Sequence, residues 1–254
     1  MYIKILGCSG GIGSNDSTTA LHVGARTLID AGSGLLKLSQ KELIQIDTIF
    51  FTHSHLDHVL GLPLLLDSVG LARKKPLTVY ALKATILSIK KHIFNNAIWP
   101  DFTKIPSAKN PVVVFKEIKA LQTIRMDGFN ITAVPANHSV PAIGYHVTSK
   151  KRSLIFTGDT THCSSLITYI NKLERLDDLI IETAFLNKEV KLAELSKHYY
   201  PALLIKDAHH MKKRPAIFIT HLKPGYENAI MKEIEKGNQG LAIKRLKENQ
   251  LFTL

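Results

Sequence analysis

The sequence predicts an α/β protein in which a mixed β-sheet system is covered by helices. Short apolar runs rich in β-forming residues recur along the 254 residues, and helical patterns separate the later runs but few of the early ones. Strands that first follow one another closely and later alternate with helices are typical of mixed sheets. Hydrophobic residues make up 45% of the chain, which is enough for a sizeable core.

Ten segments are predicted to be strands, because β-forming residues fill them and turn-forming residues flank them. In chain order they are YIKIL, TLIDA, DTIFFT, LTVYAL, VVVF, NITAVPA, AIGYHVT, SLIFTGD, DLIIETA and AIFITH. Helical patterns cover Ala84 to Ile93, Ser164 to Leu173, Leu192 to Asp207 and Tyr226 to Lys236. The segment NNAIWPDFTKIPSAKNP fits neither pattern and predicts an excursion from the core.

We expect a single domain over residues 1–254, because α/β domains commonly reach this length. The two cysteines, Cys8 and Cys163, are too few for a disulfide framework and form no CxxC pair, which fits a reducing compartment. The first residues carry none of the features of a secretory signal. The longest apolar stretch, VLGLPLLL, is far shorter than a membrane span. A soluble, cytoplasmic protein without membrane contact is therefore expected.

The net charge of +12 favours an anionic partner such as a nucleotide or nucleic acid. The basic residues lie in small clusters rather than in one long run: Lys74/Lys75, Lys90/Lys91, Lys150 to Arg152, and Lys212 to Arg214. Clusters of this size are also typical of an ordinary solvated surface. Charge alone therefore does not identify the partner.

Five predicted strands finish in a ligating or titratable side chain. FFTH ends at His53, AVPANH at His138, IFTGD at Asp159, LIIE at Glu182 and IFITH at His221. Open α/β sheets place their sites just beyond the carboxyl ends of strands. We therefore expect these five side chains to converge.

The segment FFTHSHLDHVLG carries the densest group of ligating side chains. His53 and His55 can chelate one cation, whereas Asp57 and His58, at the turn into a helix, face a neighbouring position. Packing explains such a cluster poorly, because buried charged groups need partners. Two cations about 3.5–4 Å apart need a shared anionic ligand, for which Asp159 is the best candidate. Imidazole and carboxylate donors without thiolate suit zinc, iron or manganese.

The motif H-x-H-x-D-H resembles the signature of the metallo-β-lactamase superfamily, and the chain also matches the later ligands of that superfamily in order. The matching residues are His53, His55, Asp57, His58, His138, Asp159 and His221. The resemblance implies a four-layer αββα sandwich with two divalent metal ions. It assigns His53, His55 and His138 to one ion, Asp57, His58 and His221 to the other, and Asp159 to both. Asp30, in LIDAGSG, would support the metal loop without ligating.

Within the superfamily, the closer likeness is to the class II cyclic-nucleotide phosphodiesterases. The segments HSHLDHVLGLPLLLDS, LGCSGG, DAGSG and ITHLKP are similar to segments of that family. The resemblance implies metal-dependent hydrolysis of cyclic AMP or cyclic GMP to nucleoside 5′-monophosphates. One segment departs from the family: SKHYYP stands where a small-residue G-H-L-T/S-P is usual, although His198 and Pro201 remain.

Three residues are expected to take part in the reaction. Asp57 would orient the attacking hydroxide as well as ligate a metal. His198 would protonate the leaving 3′ oxygen or clamp the phosphate, and Glu182 would hold its imidazole in the useful tautomer. Zn²⁺ is the expected metal, with iron and manganese as alternatives.

The base pocket is poorly specified by the sequence. Three aromatic residues of the irregular segment or its border could stack on a purine or could pack that segment onto the core: Phe94, Trp99 and Phe102. Three polar residues could line the mouth of the site: Asn15, Ser33 and Ser68. The choice between cyclic AMP and cyclic GMP stays open, because it depends on one or two hydrogen bonds to the purine edge. The resemblance also implies a homodimer.

Two other functions remain open. Ribonuclease Z, a tRNA 3′-processing endonuclease, shares the ligands and the Glu/His pair, and it fits the basic charge. That family commonly inserts a long arm where HSVPAIGYHVTSKKRSLIFTGD here joins His138 directly to Asp159. A catalytically inactive protein that binds nucleotides or nucleic acid would normally have lost ligands, whereas every ligand position here is filled.

Overall fold

The computed structural model describes residues 1–13, 16–238 and 240–254. In chain order the strands are β1 (Tyr2–Gly7), β2 (Ala20–Val23), β3 (Thr27–Ile29), β4 (Thr48–Phe50), β5 (Leu77–Ala81), β6 (Pro106–Ser107), β7 (Asn110–Pro111), β8 (Val113–Glu117), β9 (Thr123–Met126), β10 (Phe129–Pro135), β11 (Ile143–Thr148), β12 (Ser153–Phe156), β13 (Asp178–Glu182), β14 (Ala216–Thr220), β15 (Ile243–Arg245) and β16 (Leu251–Thr253). The α-helices are α1 (Gln40–Leu43), α2 (Leu56–Val59), α3 (Gly61–Val69), α4 (Lys83–His92), α5 (Ser164–Lys172), α6 (Val190–Ser196), α7 (Pro201–His210) and α8 (Glu227–Gly237). Short 3₁₀ helices cover Ser33–Lys37 and Asn187–Glu189.

These strands form two seven-stranded mixed sheets and a small hairpin of β6 and β7. The first sheet has the order β16-β1-β2-β3-β4-β5-β8, and the second has the order β15-β14-β13-β12-β11-β10-β9. Strands β3, β4, β5 and β8 are parallel to one another, as are β12 to β15. Their carboxyl ends therefore lie together at one edge of each sheet.

Neighbouring residues on the central strands face different cores, because side chains alternate along a strand. Phe50 and Phe156 lie between the two sheets, where Tyr145 joins the same core. Ile49 packs on the outer face of the first sheet with residues of α3 and α4. Ile155 packs on the outer face of the second sheet with residues of α5, α7 and α8. This order of helices, sheet, sheet and helices confirms the predicted αββα sandwich.

The structure corrects one predicted helix. The pattern from Leu192 to Asp207 predicts a continuous helix, but α6 and α7 are separate. Lys197 ends α6 in the left-handed conformation, with φ of 55°. Pro201 begins α7 after an extended residue, which is the position that proline favours. The break places His198 in a loop rather than on a helix.

Several strands escaped the sequence patterns because they are short or lie at sheet edges. They are β2, β9, β15 and β16, together with the small hairpin. The last of them, β16, pairs Phe252 with Ile3 and closes one edge of the first sheet. Among the helices of the described ranges, none combines the length and the apolar character needed to cross a bilayer.

Two hydrogen bonds join the second sheet to the segment that leads from β4 to His53. The buried hydroxyl of Tyr145 donates to the backbone carbonyl of Phe51 over 2.7 Å. The backbone N–H of Ile143 donates to the carbonyl of Thr52 over 3.0 Å. These bonds fix the position of Phe51 and Thr52, and therefore of His53, relative to the second sheet.

Replacing Tyr145 tests the contribution of this connection. Tyr145→Phe should lower the free energy of unfolding by about 1–2 kcal/mol, because the buried Phe51 carbonyl loses its phenol donor. Denaturant unfolding followed by circular dichroism measures the change. Tyr226→Phe, at an exposed tyrosine, is the matched control and should leave stability unchanged. Equal stability of the two variants would contradict this account of the connection.

Candidate metal centre

Loops at the carboxyl edge of the strands carry the residues singled out in the sequence. His53 lies three residues beyond β4, His138 three beyond β10 and Asp159 three beyond β12. His221 directly follows β14, and Glu182 is the last residue of β13. The sandwich thus brings together five side chains that are far apart along the chain.

One group of four side chains can surround a cation. Its members are His53, His55, His138 and Asp159, and each offers a donor atom within 4.8 Å of the others. Nε2 of His138 lies 3.1 Å from Nδ1 of His55. Nε2 of His53 lies 3.8 Å from Oδ2 of Asp159. These are the residues that the family resemblance assigned to the first metal, with Asp159 shared.

A second group adjoins the first. Its members are Asp57, His58, Asp159 and His221, again with donor atoms within 4.8 Å of one another. Nε2 of His58 lies 3.7 Å from Oδ2 of Asp57 and 3.4 Å from Oδ2 of Asp159. These are the residues assigned to the second metal.

Asp159 belongs to both groups and is buried. Its Oδ1 lies 3.4 Å from Nδ1 of His221, while Oδ2 faces His53 and His58. Burial alone would raise the pKa of the carboxyl, but His221, His58 and His53 hold the pKa of Asp159 well below its ordinary value. Asp159 is therefore ionised, and its two carboxylate oxygens face different histidines.

The donors fit divalent cations. Three buried nitrogens of the two groups, Nε2 of His53, Nε2 of His58 and Nδ1 of His221, have no hydrogen-bond partner among the described residues. Buried polar atoms are rarely left in this state. Imidazole and carboxylate donors without thiolate are the ligands of zinc and similar metals. A cation in each group would satisfy all three nitrogens.

Burial prepares most of the imidazoles for coordination. It lowers the pKa of His138 to about 4 and the pKa of His221 to about 3. It also holds the pKa of His53 well below its ordinary value. These rings are neutral at neutral pH and keep a lone pair for a cation. His58 differs: burial would lower its pKa, but the Asp159 carboxylate above all holds it well above its ordinary value.

Asp30 orients His58 from behind. Its Oδ2 lies 2.7 Å from Nδ1 of His58 and accepts a hydrogen bond from the Thr52 hydroxyl over 2.8 Å. Its Oδ1 accepts from the Thr52 backbone N–H over 2.8 Å. The buried carboxylate thereby directs Nε2 of His58 toward Asp159. Such partners behind a ligand typically raise metal affinity.

Tight backbone geometry allows these loops to meet. A Cβ atom on Gly32 would lie 2.2 Å from the carbonyl oxygen of Asp57, so only glycine fits there. Asp30 and His221 have φ values of 56° and 58°. This left-handed conformation is uncommon for residues with a side chain and is concentrated at functional sites.

His198 approaches both donor groups from the loop between α6 and α7. Its ring centroid lies 4.9 Å from that of His138 and 5.2 Å from that of His221. Its Nδ1 lies 2.6 Å from Oε1 of the buried Glu182. Burial would lower the pKa of His198, but the Glu182 carboxylate holds it above its ordinary value. With Nδ1 engaged, Nε2 is the ring nitrogen left for another partner.

The aromatic residues considered for base stacking belong to the core. Phe94 and Phe102 are buried, and Trp99 packs against the same cluster on the outer face of the first sheet. Within the excursion from residue 95 to residue 111, Trp99, Phe102 and Ile105 pack on that core, whereas most of the other residues are exposed. Packing is therefore the interpretation that the structure supports for these three side chains.

The polar residues considered for the mouth of the site have local roles where they are described. The hydroxyl of Ser33 accepts a hydrogen bond from the Thr18 backbone N–H over 2.8 Å. The hydroxyl of Ser68 donates to the Leu64 carbonyl within α3 over 2.8 Å. Asn15 lies outside the described residues.

Sequence reasoning missed several groups that orient the site. Besides binding Asp30, the Thr52 hydroxyl lies 3.0 Å from Nδ1 of His53. Nδ1 of His138 donates to the Lys197 carbonyl over 3.1 Å, which leaves Nε2 for the donor group. A polar residue between an apolar strand and the first histidine was an available signal for Thr52. A backbone carbonyl brought in by tertiary folding leaves no such signal.

A family model matches this fold and its donors. The model of the beta-lactamase superfamily domain covers residues 25–222, a span that contains both donor groups. The chain belongs to the metallo-β-lactamase superfamily. It is thus a member of a superfamily of metal-dependent hydrolases, and its histidine and aspartate clusters are compatible with a divalent metal site.

Members with different substrates are similar to this chain. Ribonuclease Z of Pyrococcus abyssi is 32% identical over 135 residues, which cover 51% of this chain and 40% of that protein. A probable 3′,5′-cyclic-nucleotide phosphodiesterase of Yersinia pestis is 26% identical over 223 residues, which cover 76% of this chain and 63% of that protein. The chain therefore spans less than two thirds of the length of these curated relatives. The crystal structure of unliganded yeast PDE1 shares the fold, with a TM-score of 0.82 and 18% identity over 100% of this chain and 99% of that chain.

Asp30→Asn tests the support behind His58. The affinity for Zn²⁺ should fall about 10- to 100-fold, because the amide orients the His58 imidazole less strongly and no longer raises its basicity. Competition with a chromophoric chelator measures the affinity, and circular dichroism checks the fold. Asp127→Asn, at an exposed aspartate outside both donor groups, should bind Zn²⁺ like the unaltered chain. Unchanged affinity of Asp30→Asn would contradict the supporting role.

Proposed function

We propose that this chain hydrolyses 3′,5′-cyclic nucleotides, cyclic AMP or cyclic GMP, to nucleoside 5′-monophosphates with two divalent metal ions, preferably Zn²⁺. The observation that carries the proposal is the pair of four-residue donor groups that share Asp159, next to the hydrogen-bonded Glu182 and His198. Two adjacent cations are a recurrent solution for displacement at phosphorus, because both the attacking and the leaving oxygen carry negative charge.

The proposal assigns the donor groups to the two ions. His53, His55 and His138 hold one ion, Asp57, His58 and His221 hold the other, and Asp159 is shared. The bound ions would supply Lewis acidity, which lowers the pKa of a water and neutralises the phosphate oxygens.

Two side chains of the protein act on the substrate and the water in this proposal, and a third positions one of them. Asp57 is the most exposed carboxylate of the donor groups, with a third of its side chain accessible, and it orients the attacking water. The water gives up one proton to solvent, and as the resulting hydroxide forms its bond to phosphorus, the bond from phosphorus to the 3′ oxygen breaks and its electron pair stays on that oxygen. His198 gives its Nε2 proton to the leaving oxygen. Glu182 holds the ring through Nδ1 and favours its protonated form.

The lengths of the matches to known relatives support this substrate class. The match to the probable cyclic-nucleotide phosphodiesterase of Yersinia pestis covers 76% of this chain, against 51% for the match to Pyrococcus abyssi ribonuclease Z. The class II phosphodiesterase segments of the sequence, among them HSHLDHVLGLPLLLDS and ITHLKP, favour the same class.

Ribonuclease Z activity is the second candidate. The higher identity to the Pyrococcus abyssi enzyme, 32%, and the net charge of +12 favour it, since a basic surface suits an RNA backbone. Against it, the chain from His138 to Asp159 is taken up by β11, β12 and their turns, which leaves no arm at that position. An inactive binding protein is disfavoured because every donor position is filled.

A substrate comparison tests the proposal. Purified protein with measured metal content is incubated with cyclic AMP, cyclic GMP and a precursor tRNA, each with and without a chelator. We expect release of 5′-AMP or 5′-GMP that the chelator abolishes, because the cations activate the water. His53→Ala should remove this activity, whereas His92→Ala, at an exposed histidine of α4, should retain it.

Each other outcome of this comparison has a defined meaning. Cleavage of the precursor tRNA alone would replace the proposal by ribonuclease Z activity. A metal-loaded protein that cleaves none of the three substrates would contradict the substrate class. Activity that persists in His53→Ala would contradict the assignment of the first donor group.

A further inference from the structure

A buried tyrosine and a buried aspartate lie in or beside the loop between α6 and α7 that carries His198, but outside both donor groups. Tyr199 follows His198 directly, in the segment SKHYYP that departs from the phosphodiesterase pattern. Both Tyr199 and Asp207 are 1% exposed. The Tyr199 hydroxyl donates to Oδ2 of Asp207, on α7, over 2.6 Å. A buried carboxylate is costly without partners, so this pair requires an explanation.

Asp207 also reaches the loop that carries Asp159. Nδ1 of His162 lies 2.9 Å from Oδ1 and 2.8 Å from Oδ2 of Asp207. His162 is three residues beyond Asp159, and its side chain is half-exposed. Asp207 thereby joins two loops, one that carries the shared metal ligand and one that carries His198.

Tyr199 is held along its backbone as well. Its N–H donates to Oε2 of Glu182 over 3.3 Å, while Oε1 of the same carboxylate faces Nδ1 of His198. Its carbonyl accepts from the Ala184 N–H over 3.2 Å. Burial first, and then the adjacent Asp207, hold the pKa of Tyr199 well above its ordinary value. The hydroxyl therefore stays protonated and remains a donor.

We propose that Tyr199, Asp207 and His162 form a tether that positions His198 for proton donation to the leaving oxygen. The inference rests on the proposed function and adds positioning residues to it. His198 lies in the short loop between α6 and α7. The side chain of Tyr199, the residue after His198, anchors this loop to α7 through Asp207. The tether also ties this loop to the loop of Asp159, so the proton donor and the shared ligand keep their mutual distance.

Positioning of this kind has a measurable effect on rate. A displacement of about 1 Å in a reacting group can cost on the order of 100-fold in rate. Proton donation matters most for a poor leaving group such as the ribose alkoxide. It matters little for bis(p-nitrophenyl) phosphate, because the phenolate leaves without a proton. A positioning defect should therefore slow the first substrate much more than the second, whereas general structural damage slows both.

Tyr199→Phe and Asp207→Asn test the tether. We expect kcat for the cyclic nucleotide to fall about tenfold or more, with KM changed less than twofold and metal content unchanged. Turnover of bis(p-nitrophenyl) phosphate should stay within about twofold of that of the unaltered protein. Tyr169→Phe is the matched control, since it removes a tyrosine hydroxyl that is hydrogen-bonded to a side chain outside the tether, His146. It should leave both rates unchanged.

A second measurement does not depend on activity. The Nδ1 proton of His198, held against Glu182, should give a downfield proton resonance in the zinc-loaded protein, identified by its loss in His198→Gln. In Tyr199→Phe and Asp207→Asn this resonance should shift and exchange faster with water. In Tyr169→Phe it should stay in place.

The outcomes separate the two proposals. Equal losses on both substrates, or unchanged kcat together with an unchanged resonance, would overturn the tether. If the unaltered protein does not cleave cyclic nucleotides, the proposed function fails. The resonance then decides the tether by itself: an unmoved signal in both variants overturns it, and a shifted, faster-exchanging signal supports it.

Discussion

A carboxylate buried among histidines is the constraint on which this site depends. Asp159 lies between two groups of imidazoles, and several of the facing nitrogens have no hydrogen-bond partner among the described residues. An uncompensated buried charge costs several kcal/mol, and a cation in each donor group would compensate the carboxylate and satisfy these nitrogens. The loops that meet there are held by the two sheets, which the core around Phe50 and Phe156 fixes relative to each other.

The same pairing recurs around the centre. Three further buried carboxylates each face a histidine from another part of the chain: Asp30 faces His58, Glu182 faces His198, and Asp207 faces His162. A carboxylate behind an imidazole fixes its tautomer and its direction. Each of these histidines is thus oriented by its own carboxylate. The backbone strain at Asp30 and His221 is the local cost of this convergence.

Local patterns predicted a mixed sheet system covered by helices and the convergence of ligating side chains at strand ends, whereas the αββα sandwich and the division of the ligands between two metals came from the family resemblance. Four of the ligating residues are close together in the chain: His53, His55, Asp57 and His58. Two others, Asp159 and His221, come at the ends of strands, where α/β sheets place their sites. The loop break at Lys197 was not predictable, since the helical pattern continues across it. The roles of Tyr199 and Phe94 were also hidden, because an aromatic residue gives the same local signal whether it binds a carboxylate, packs in the core or stacks on a base.

The central claim is that two cations share Asp159, and anomalous scattering from crystals of the zinc-loaded protein tests it most directly. The account predicts two peaks at the zinc edge about 3.5–4 Å apart, with the Asp159 carboxylate between them. One peak should lie among His53, His55 and His138, and the other among Asp57, His58 and His221. A single peak, or peaks that do not contact Asp159, would contradict the account.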